Sequence, residues 1–326
     1  MNKPKVSIIV PIYGVERYIE RCAVSLFEQT YKDIEYIFIN DATPDQSIGV
    51  LQTILARYPD RMKHVKIITH PQNRGVSAAR NSGLDAATGE YIWQIDADDY
   101  ITKNAVQTLA YIAEHHKADI VIFDVNIVES HSIRVDSVRY NNKEDYIRRI
   151  LQHTEKCAHW NKFYKLDLFT ETGVRADERI RLADDYAVTP RLLYCAKQIV
   201  MLHEPLYFYE TTNQSSYVHN LNHTAIESQY IADKILVDYF TSIPDAMAYA
   251  DVVSALPQRS LVSLIKNADD TCWDDILDVY KDELSHSGRQ MTMVNRVIFH
   301  LAKNRRMHLL KLFMDLYHLV MRYKLR

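Results

Sequence analysis

Cysteine is scarce and unpaired in this chain: four in 326 residues (Cys22, Cys157, Cys195, Cys272), with no CxxC spacing. That counts against a zinc ribbon or a disulfide framework and fits a reducing, cytoplasmic setting. Long apolar runs are missing too. Nothing approaches the ~18 consecutive apolar residues of a membrane span, and the N-terminus MNKPKVSIIVPIYG has neither the apolar region nor the cleavage site of a signal peptide. An excess of one charge is also absent. The formal net charge of -3 favours no polyanionic partner, so nucleic acid is not expected. Internal repeats and low-complexity segments do not occur. What is present is an ordinary globular composition, 47% hydrophobic and 25% charged, over a length that suggests about two domains at roughly 150 residues each.

The apolar residues are patterned. Lys5 to Pro11 (KVSIIVP) is a β-branched run without polar alternation, as in a parallel strand buried on both faces. Similar runs follow at Ile34 to Ile39, Val65 to Thr69, Tyr91 to Ile95 and Asp119 to Phe123. Segments of helical period separate them: Val15 to Gln29, Gln46 to Tyr58, Val76 to Ala87 and Lys103 to Lys117. This alternation predicts an α/β unit with a doubly wound, mostly parallel sheet flanked by helices. Ser130 to Lys143 reads as a polar loop or hairpin, Asp184 to Ala196 as a helix and Ile199 to Tyr209 as extended chain. Asn213 to Asn222 reads as a polar link, and the rest as helical. We therefore expect one domain over 1–218 and a helical C-terminal region over 219–326.

Ligands of such sheets collect at the carboxyl ends of strands, and polar motifs fall there. PIYG follows the first strand, NDATP the second, PQNRG the third and DADD the fourth. One rim thus gathers Asp41, Asp45, Arg74, Arg80, Asp96, Asp98 and Asp99. Asp96, Asp98 and Asp99 either sit in water ahead of a helix that Thr102 caps or surround something positive. Asp41 suits an Asx turn or an imide N–H of a base, and Tyr13, presented by the turn at Pro11, suits packing or a base. Arg80 is either a solvated helix residue or a phosphate contact. Asp184 and Asp185 open a helix, where acids also offset the dipole. Trp160 and Lys162 lie in an aromatic segment that suits a sugar ring or a core. The pair His115 and His116 has no ligand spacing. A dinucleotide-dependent oxidoreductase would share the alternation, but GxGxxG is missing after the first strand.

In order, the pieces VSIIVPIYGVERYIERCAVSLFEQTY, EYIFINDATPDQS, NRGVSAARNSGLDAATGEYIWQIDADD, WNKFY and ADDYAVTPRLL resemble the inverting glycosyltransferases of family 2. These enzymes have the GT-A fold and build bacterial surface polysaccharides. The resemblance covers Val6 to about Ser216, roughly two thirds of the chain. Gly14 stands where the family has Asn, Ala42 where it has Gly, Asp184 where it has Glu and Glu210 where it often has Arg. The resemblance implies transfer of a hexosyl or N-acetylhexosaminyl group from a nucleotide sugar, most readily a UDP-sugar, to a saccharide or polyprenyl-linked saccharide.

The implied residue roles follow the same pieces. Asp98 would contact a divalent metal, Mn2+ or Mg2+, and Asp96 would lie nearer the ribose. Pro11, Tyr13, Asp41 and Arg80 complete the donor side, with Asp41 toward uracil. Asp185 is the expected catalytic base, and Trp160, Lys162 and Asp184 are expected on the acceptor side. A non-catalytic protein binding the same donor is the alternative. From Ser287 onward nine Lys and Arg face a single Asp. That basic helical stretch suits either peripheral contact with the inner membrane face or packing within a subdomain or homo-oligomer.

Overall fold

The computed structural model describes residues 5–213, 222–285 and 291–324. All but the two ends of the link expected at Asn213 to Asn222, and the basic residues Arg289 and Arg326, lie outside them. The chain divides into two compact units, one of Met1–Ile147 with Glu155–Ser216 and one of Arg148–Thr154 with Tyr217–Arg326.

The first unit is built round one sheet. In chain order its elements are β1 (Val6–Ile12), α1 (Ile19–Phe27), β2 (Ile34–Asn40), α2 (Ser47–Leu55), α3 (Pro59–Met62), β3 (Val65–Thr69), α4 (Val76–Ala86), β4 (Tyr91–Gln94) and β5 (Tyr100–Ile101). Then come α5 (Ala105–His116), β6 (Ile120–Val128), β7 (Ile133–Asp136), α6 (Lys143–Leu151, whose last four residues belong to the second unit), β8 (Lys162–Lys165), α7 (Leu166–Thr172), α8 (Asp184–Cys195) and β9 (Ile199–Glu210). The strand order is β3-β2-β1-β4-β8-β6-β9-β5, with β7 paired to β6. β1, β2, β3 and β4 pair in parallel, as do β6 and β9. β8 runs antiparallel between β4 and β6, so those two still point the same way. The sheet is therefore mixed where a mostly parallel one was expected, and the polarity of the main strands is as expected. Ser130 to Lys143 does contain a hairpin strand, β7 on β6.

Burial explains the unbroken apolar runs. Ile8, Val10, Ile37, Phe38, Ile92 and Trp93 are fully buried because helices cover both faces of the sheet. Trp93 carries Phe123 edge-on at 5.3 Å and donates its indole N–H to Trp160 O at 2.7 Å, tying β4 to the segment before β8. Gly83 lets α4 lie close on β1, since a Cβ there would come within 2.3 Å of Ile9 Cγ2. The result is that β1, β2, β3 and β4 all end on one rim.

The second unit holds α9 (His223–Ser242), a 3-10 turn at Pro244–Tyr249, α10 (Ala250–Val253), α11 (Leu256–Asn267), α12 (Trp273–Val279), α13 (Met293–Lys303) and α14 (Met307–Lys324). Leu261, Ile265, Trp273, Ile276, Tyr280, Ile298, Phe299 and Leu310 form its core. Part of its expected basic charge is matched locally: Arg305 pairs with Asp274 and Asp278, and Lys311 with Asp270. No helix among the described residues is long and apolar enough to cross a membrane.

Candidate active site

The loops after β1 and β2 are tied together. Asp45 accepts from Thr43 Oγ1 at 2.7 Å, Ser47 Oγ at 2.6 Å and Glu16 N at 2.9 Å, and Gly14 N donates to Thr43 Oγ1 at 2.9 Å. Both departures noted in these loops fall on left-handed backbone, Gly14 at φ 68° and Ala42 at φ 54°. Glycine and asparagine enter that region readily, whereas alanine does so at a cost of about 1–2 kcal/mol. Tyr13 stands beside them, 40% exposed, with its ring free to meet a flat ligand.

Asp41 is buried at the end of β2. Its Oδ1 accepts from His70 Nδ1 at 2.6 Å and Arg74 N at 2.8 Å, and its Oδ2 accepts from Gly75 N at 2.7 Å. The carboxylate thus holds the turn that opens α4. Gly75 is required there: its φ is 89°, and a Cβ would fall 2.3 Å from Arg181 Nη1. His70 bonds onward to Ser82 Oγ at 2.9 Å. Sequence reasoning passed over both His70 and Arg181. The position of His70 directly after β3, on the rim where the other motifs lie, was the available signal; for Arg181 there was none.

Arg80 departs from expectation. The residue is 8% exposed and its side chain grips two acids, Nη1 on Asp184 and Nη2 on Asp96 Oδ1 at 2.8 Å. Burial opposes its charge, but Asp184 and Asp96 outweigh that and raise its pKa further. The guanidinium is therefore spent inside the protein instead of projecting at a ligand, and it joins the acidic end of β4 to the start of α8. Burial by itself would raise Asp184, yet Arg80 prevails and holds that carboxyl below its ordinary value.

The three acids after β4 have separate environments. Asp96 accepts from Arg80 and its carboxyl remains 32% exposed. Asp98 accepts from Asn213 Nδ2 at 2.8 Å, and burial followed by repulsion from Asp96 pushes it up to about 6. Asp99 is not the solvated turn acid of the simpler reading. It is 1% exposed, accepts from Tyr207 OH at 2.6 Å and Glu210 N at 2.7 Å, and pins β9 to the rim. Burial, then Asp98 and Asp96, raise it well above the usual carboxylate range. The side chain of Thr102 makes no cap; Asn104 stands at the start of α5. Glu210 turns to Arg21, whose Nη2 lies 2.8 Å from Glu210 Oε2 and 3.2 Å from Asp98 O.

Asp185 follows a left-handed Ala183 at φ 68° and is partly buried. Its Oδ1 accepts from Tyr186 N at 2.7 Å, and burial, then this carboxyl, hold the Cys157 thiol well above its usual pKa. Burial, then Asp184, push the Asp185 carboxyl up to about 6. Two residues expected on an acceptor surface lie inside instead. Lys162 is fully buried, donating to Ala158 O at 2.7 Å and Asn161 Oδ1 at 2.8 Å, and burial lowers its pKa to about 8. Trp160 is stacked at 5.2 Å on Tyr207 and 5.1 Å on Tyr209. The aromatic segment after Cys157 is core because its strand, β8, lies in the middle of the sheet.

Crowded, incompletely neutralised carboxylates on an open rim favour a cation. Among the described residues no three His, Cys, Asp or Glu side chains close round one point. The donor set fits a hard divalent ion held by one or two carboxylates and finished by phosphate oxygens and water.

The description "Glycosyl transferase family 2" matches residues 7–172, from β1 through α7. The chain belongs to that family. Among family relatives, the uncharacterized glycosyltransferase EpsJ of Bacillus subtilis is 35% identical over 222 residues, which is 65% of this chain and 62% of EpsJ. The chain thus spans less than two thirds of that relative. The crystal structure of S. aureus TarS 1-349 in complex with UDP-GlcNAc superposes with a TM-score of 0.76 at 17% identity, covering 96% of this chain and 91% of that one. The mannosyltransferase PcManGT from Pyrobaculum calidifontis, in complex with GDP-Man and Mn2+, gives 0.53 at 14% identity, covering 97% and 86%. At these identities the likeness is one of fold, and it matches the GT-A architecture expected of family 2.

Proposed function

We propose that this family 2 chain is an inverting glycosyltransferase that moves a hexosyl or N-acetylhexosaminyl group from a UDP-sugar to a hydroxyl of a saccharide or lipid-linked saccharide in surface polysaccharide synthesis. The observation that carries this reading is the double ion pair of Arg80, which sets the Asp184–Asp185 pair beside the acidic end of β4. The donor complexes of TarS and PcManGT, which share the fold, support the donor class.

In this reading Asp185 receives the proton of the acceptor hydroxyl as its oxygen bonds to the anomeric carbon and the nucleoside diphosphate departs from the opposite face. A carboxyl near pH 6 is ionised at neutral pH and still basic enough to accept that proton. Arg80 keeps Asp184 ionised and fixed, which leaves Asp185 as the free carboxylate of the pair. Asp98, with Asp96 beside it, would hold Mn2+ or Mg2+, and the bound ion would stabilise the charge on the leaving diphosphate. Tyr13 offers its ring to the base. Asp41 acts by holding the Arg74–Gly75 turn, and Pro11 by shaping the end of β1.

The test is a thermal-shift panel of UDP-, GDP- and dTDP-sugars with and without Mn2+. Stabilisation should be largest for UDP-sugar with Mn2+, and Asp98→Asn should abolish the Mn2+ increment. An Asp98→Asn protein with an undiminished Mn2+ effect would remove this site from consideration. The same reading places the protein in the cytoplasm, peripheral to the membrane. The exposed face of Leu309, Leu312, Leu316 and Leu319 on α14 supports contact with a bilayer or a second copy, and vesicle flotation separates the two.

A further inference from the structure

Aromatic rings pack side by side next to the acidic rim of the first unit. Trp160, in the segment before β8, stacks on Tyr207 at 5.2 Å and on Tyr209 at 5.1 Å, with interplanar angles of 12° and 19°. Tyr207 and Tyr209 stand at alternate positions of β9 and so share one face of the strand. Burial falls off along the stack. Tyr207 is fully buried and Trp160 nearly so, whereas Tyr209 is partly exposed. The aromatic face that the sequence offered at Trp160 therefore reaches the surface as the ring of Tyr209.

The residues beside Tyr209 fix where that ring stands. Tyr207 OH donates to Asp99 Oδ2 at 2.6 Å and accepts from Asp96 N at 3.2 Å, and Glu210 N donates to Asp99 Oδ1 at 2.7 Å. This end of β9 is thus tied, on both sides of Tyr209, to the acids that follow β4. Burial, then the charges of Asp99, Asp96, Asp98 and Asp185, push the Tyr209 phenol up to about 12. Its hydroxyl stays protonated at neutral pH and lies in the field of the acids after β4 and of Asp185 together. Tyr13, the ring offered to the base, instead follows β1.

An aromatic ring and a hexopyranose suit each other by their faces. One face of the sugar carries mostly C–H bonds and packs on a π-system, while hydroxyls project from its edge toward polar groups. We propose that Tyr209 is the platform for the sugar under transfer, which lies with its C–H face on the ring and its hydroxyl edge toward the acids. This rests on the proposed function, in which the anomeric carbon lies between a diphosphate held at Asp98 and an acceptor oxygen at Asp185. A ring that adjoins both ends of that line meets the sugar and not the base. The stack on Trp160 holds the platform still, so little side-chain freedom is lost when the sugar arrives.

The experiment is calorimetry of the full chain with Mn2+, comparing the sugar nucleotide that stabilises wild type most in the thermal-shift panel with its own nucleoside diphosphate. Tyr209→Leu should weaken the sugar nucleotide about three- to tenfold, the worth of one stacked contact, and leave the diphosphate unchanged. Tyr209→Phe, which keeps the ring, should bind both as wild type does. A purely structural role would move the two ligands together. If Tyr209→Leu fails to fold, wild type carrying isotopically labelled tyrosine serves in its place. The ring signal that is missing from Tyr209→Phe should then shift further with sugar nucleotide than with diphosphate. Equal changes for the two ligands in Tyr209→Leu, or a Tyr209 signal that answers both alike, overturns the proposal. A wild type that binds no sugar nucleotide of the panel overturns the donor-binding reading itself, and the platform with it.

Discussion

β2 and β4 flank β1 on either side, with Glu35 near the amino end of β2 and Asp98 in the loop that leaves β4 at the opposite edge. Glu35, near the amino end of β2, accepts from Ser7 Oγ at 2.6 Å, Thr88 N at 2.6 Å and Lys5 Nζ at 3.0 Å. Burial would raise its pKa, but those bonds win and bring it to about 2. Asp98, beyond the carboxyl end of β4, has Asn213 as a donor and Asp96 as a repelling neighbour, and stands at about 6. An acid that serves the fold is surrounded by donors. Asp98 is left beside another acid, and under the proposed function the missing positive charge is what the ligand or its ion supplies.

This contrast can be broken by substitution at either end. The largest effect belongs to Asp185→Asn, which should reduce transfer by about 10²–10⁴-fold, the usual range for a general base, with the melting temperature nearly unchanged. A variant as fast as wild type in a steady-state assay would break the functional side of the comparison. Next is Arg80→Ala. Leaving Asp96 and Asp184 facing each other without their shared cation should cost about 3–5 kcal/mol in urea unfolding. Arg80→Lys should recover only part, because one ammonium cannot hold two carboxylates as the fork does.

Glu35→Gln should cost roughly 2–3 kcal/mol and leave activity per folded molecule unchanged. The sign follows from linkage: a depressed folded pKa gives stability that is present above the unfolded value of about 4.3 and is lost as pH falls through about 2. Wild type should therefore lose stability over that acid window more steeply than the variant. The smallest and most discriminating effect is in the pH profile. With Asp185 at about 6, kcat/KM should be flat above that pH and fall about tenfold per unit below it. A plateau reaching pH 4 would put a different group in the base's place.

Much of this was legible in the chain itself. The runs predicted as β1 to β4 lie within a residue or two of the observed strands, since residues buried on both faces need unbroken apolar sequence. β5 and β8, two and four residues long, carry too little pattern to be read locally, and β8 exists because β4 and β6 supply partners on both sides. In the site, the gathering of Asp96, Asp98 and Asp99 was readable from the end of β4, and the Asp184–Asp185 pair from its place at the start of a helix. The inward turn of Arg80 was not, because its partner Asp184 is 104 residues away. Lys162 looked like a surface cation for the same reason: charge suggests solvent until the backbone oxygen of Ala158 is brought to it.

By itself, then, the order of residues set the succession of strands and helices and put the acids at the carboxyl ends, because periodicity and turn chemistry act over a few neighbours. Tertiary structure decided which acid is paired with a cation, which is held at a raised pKa and which stays partly exposed. Those properties depend on burial and on charges a few ångströms apart, and such neighbours come from distant parts of the chain.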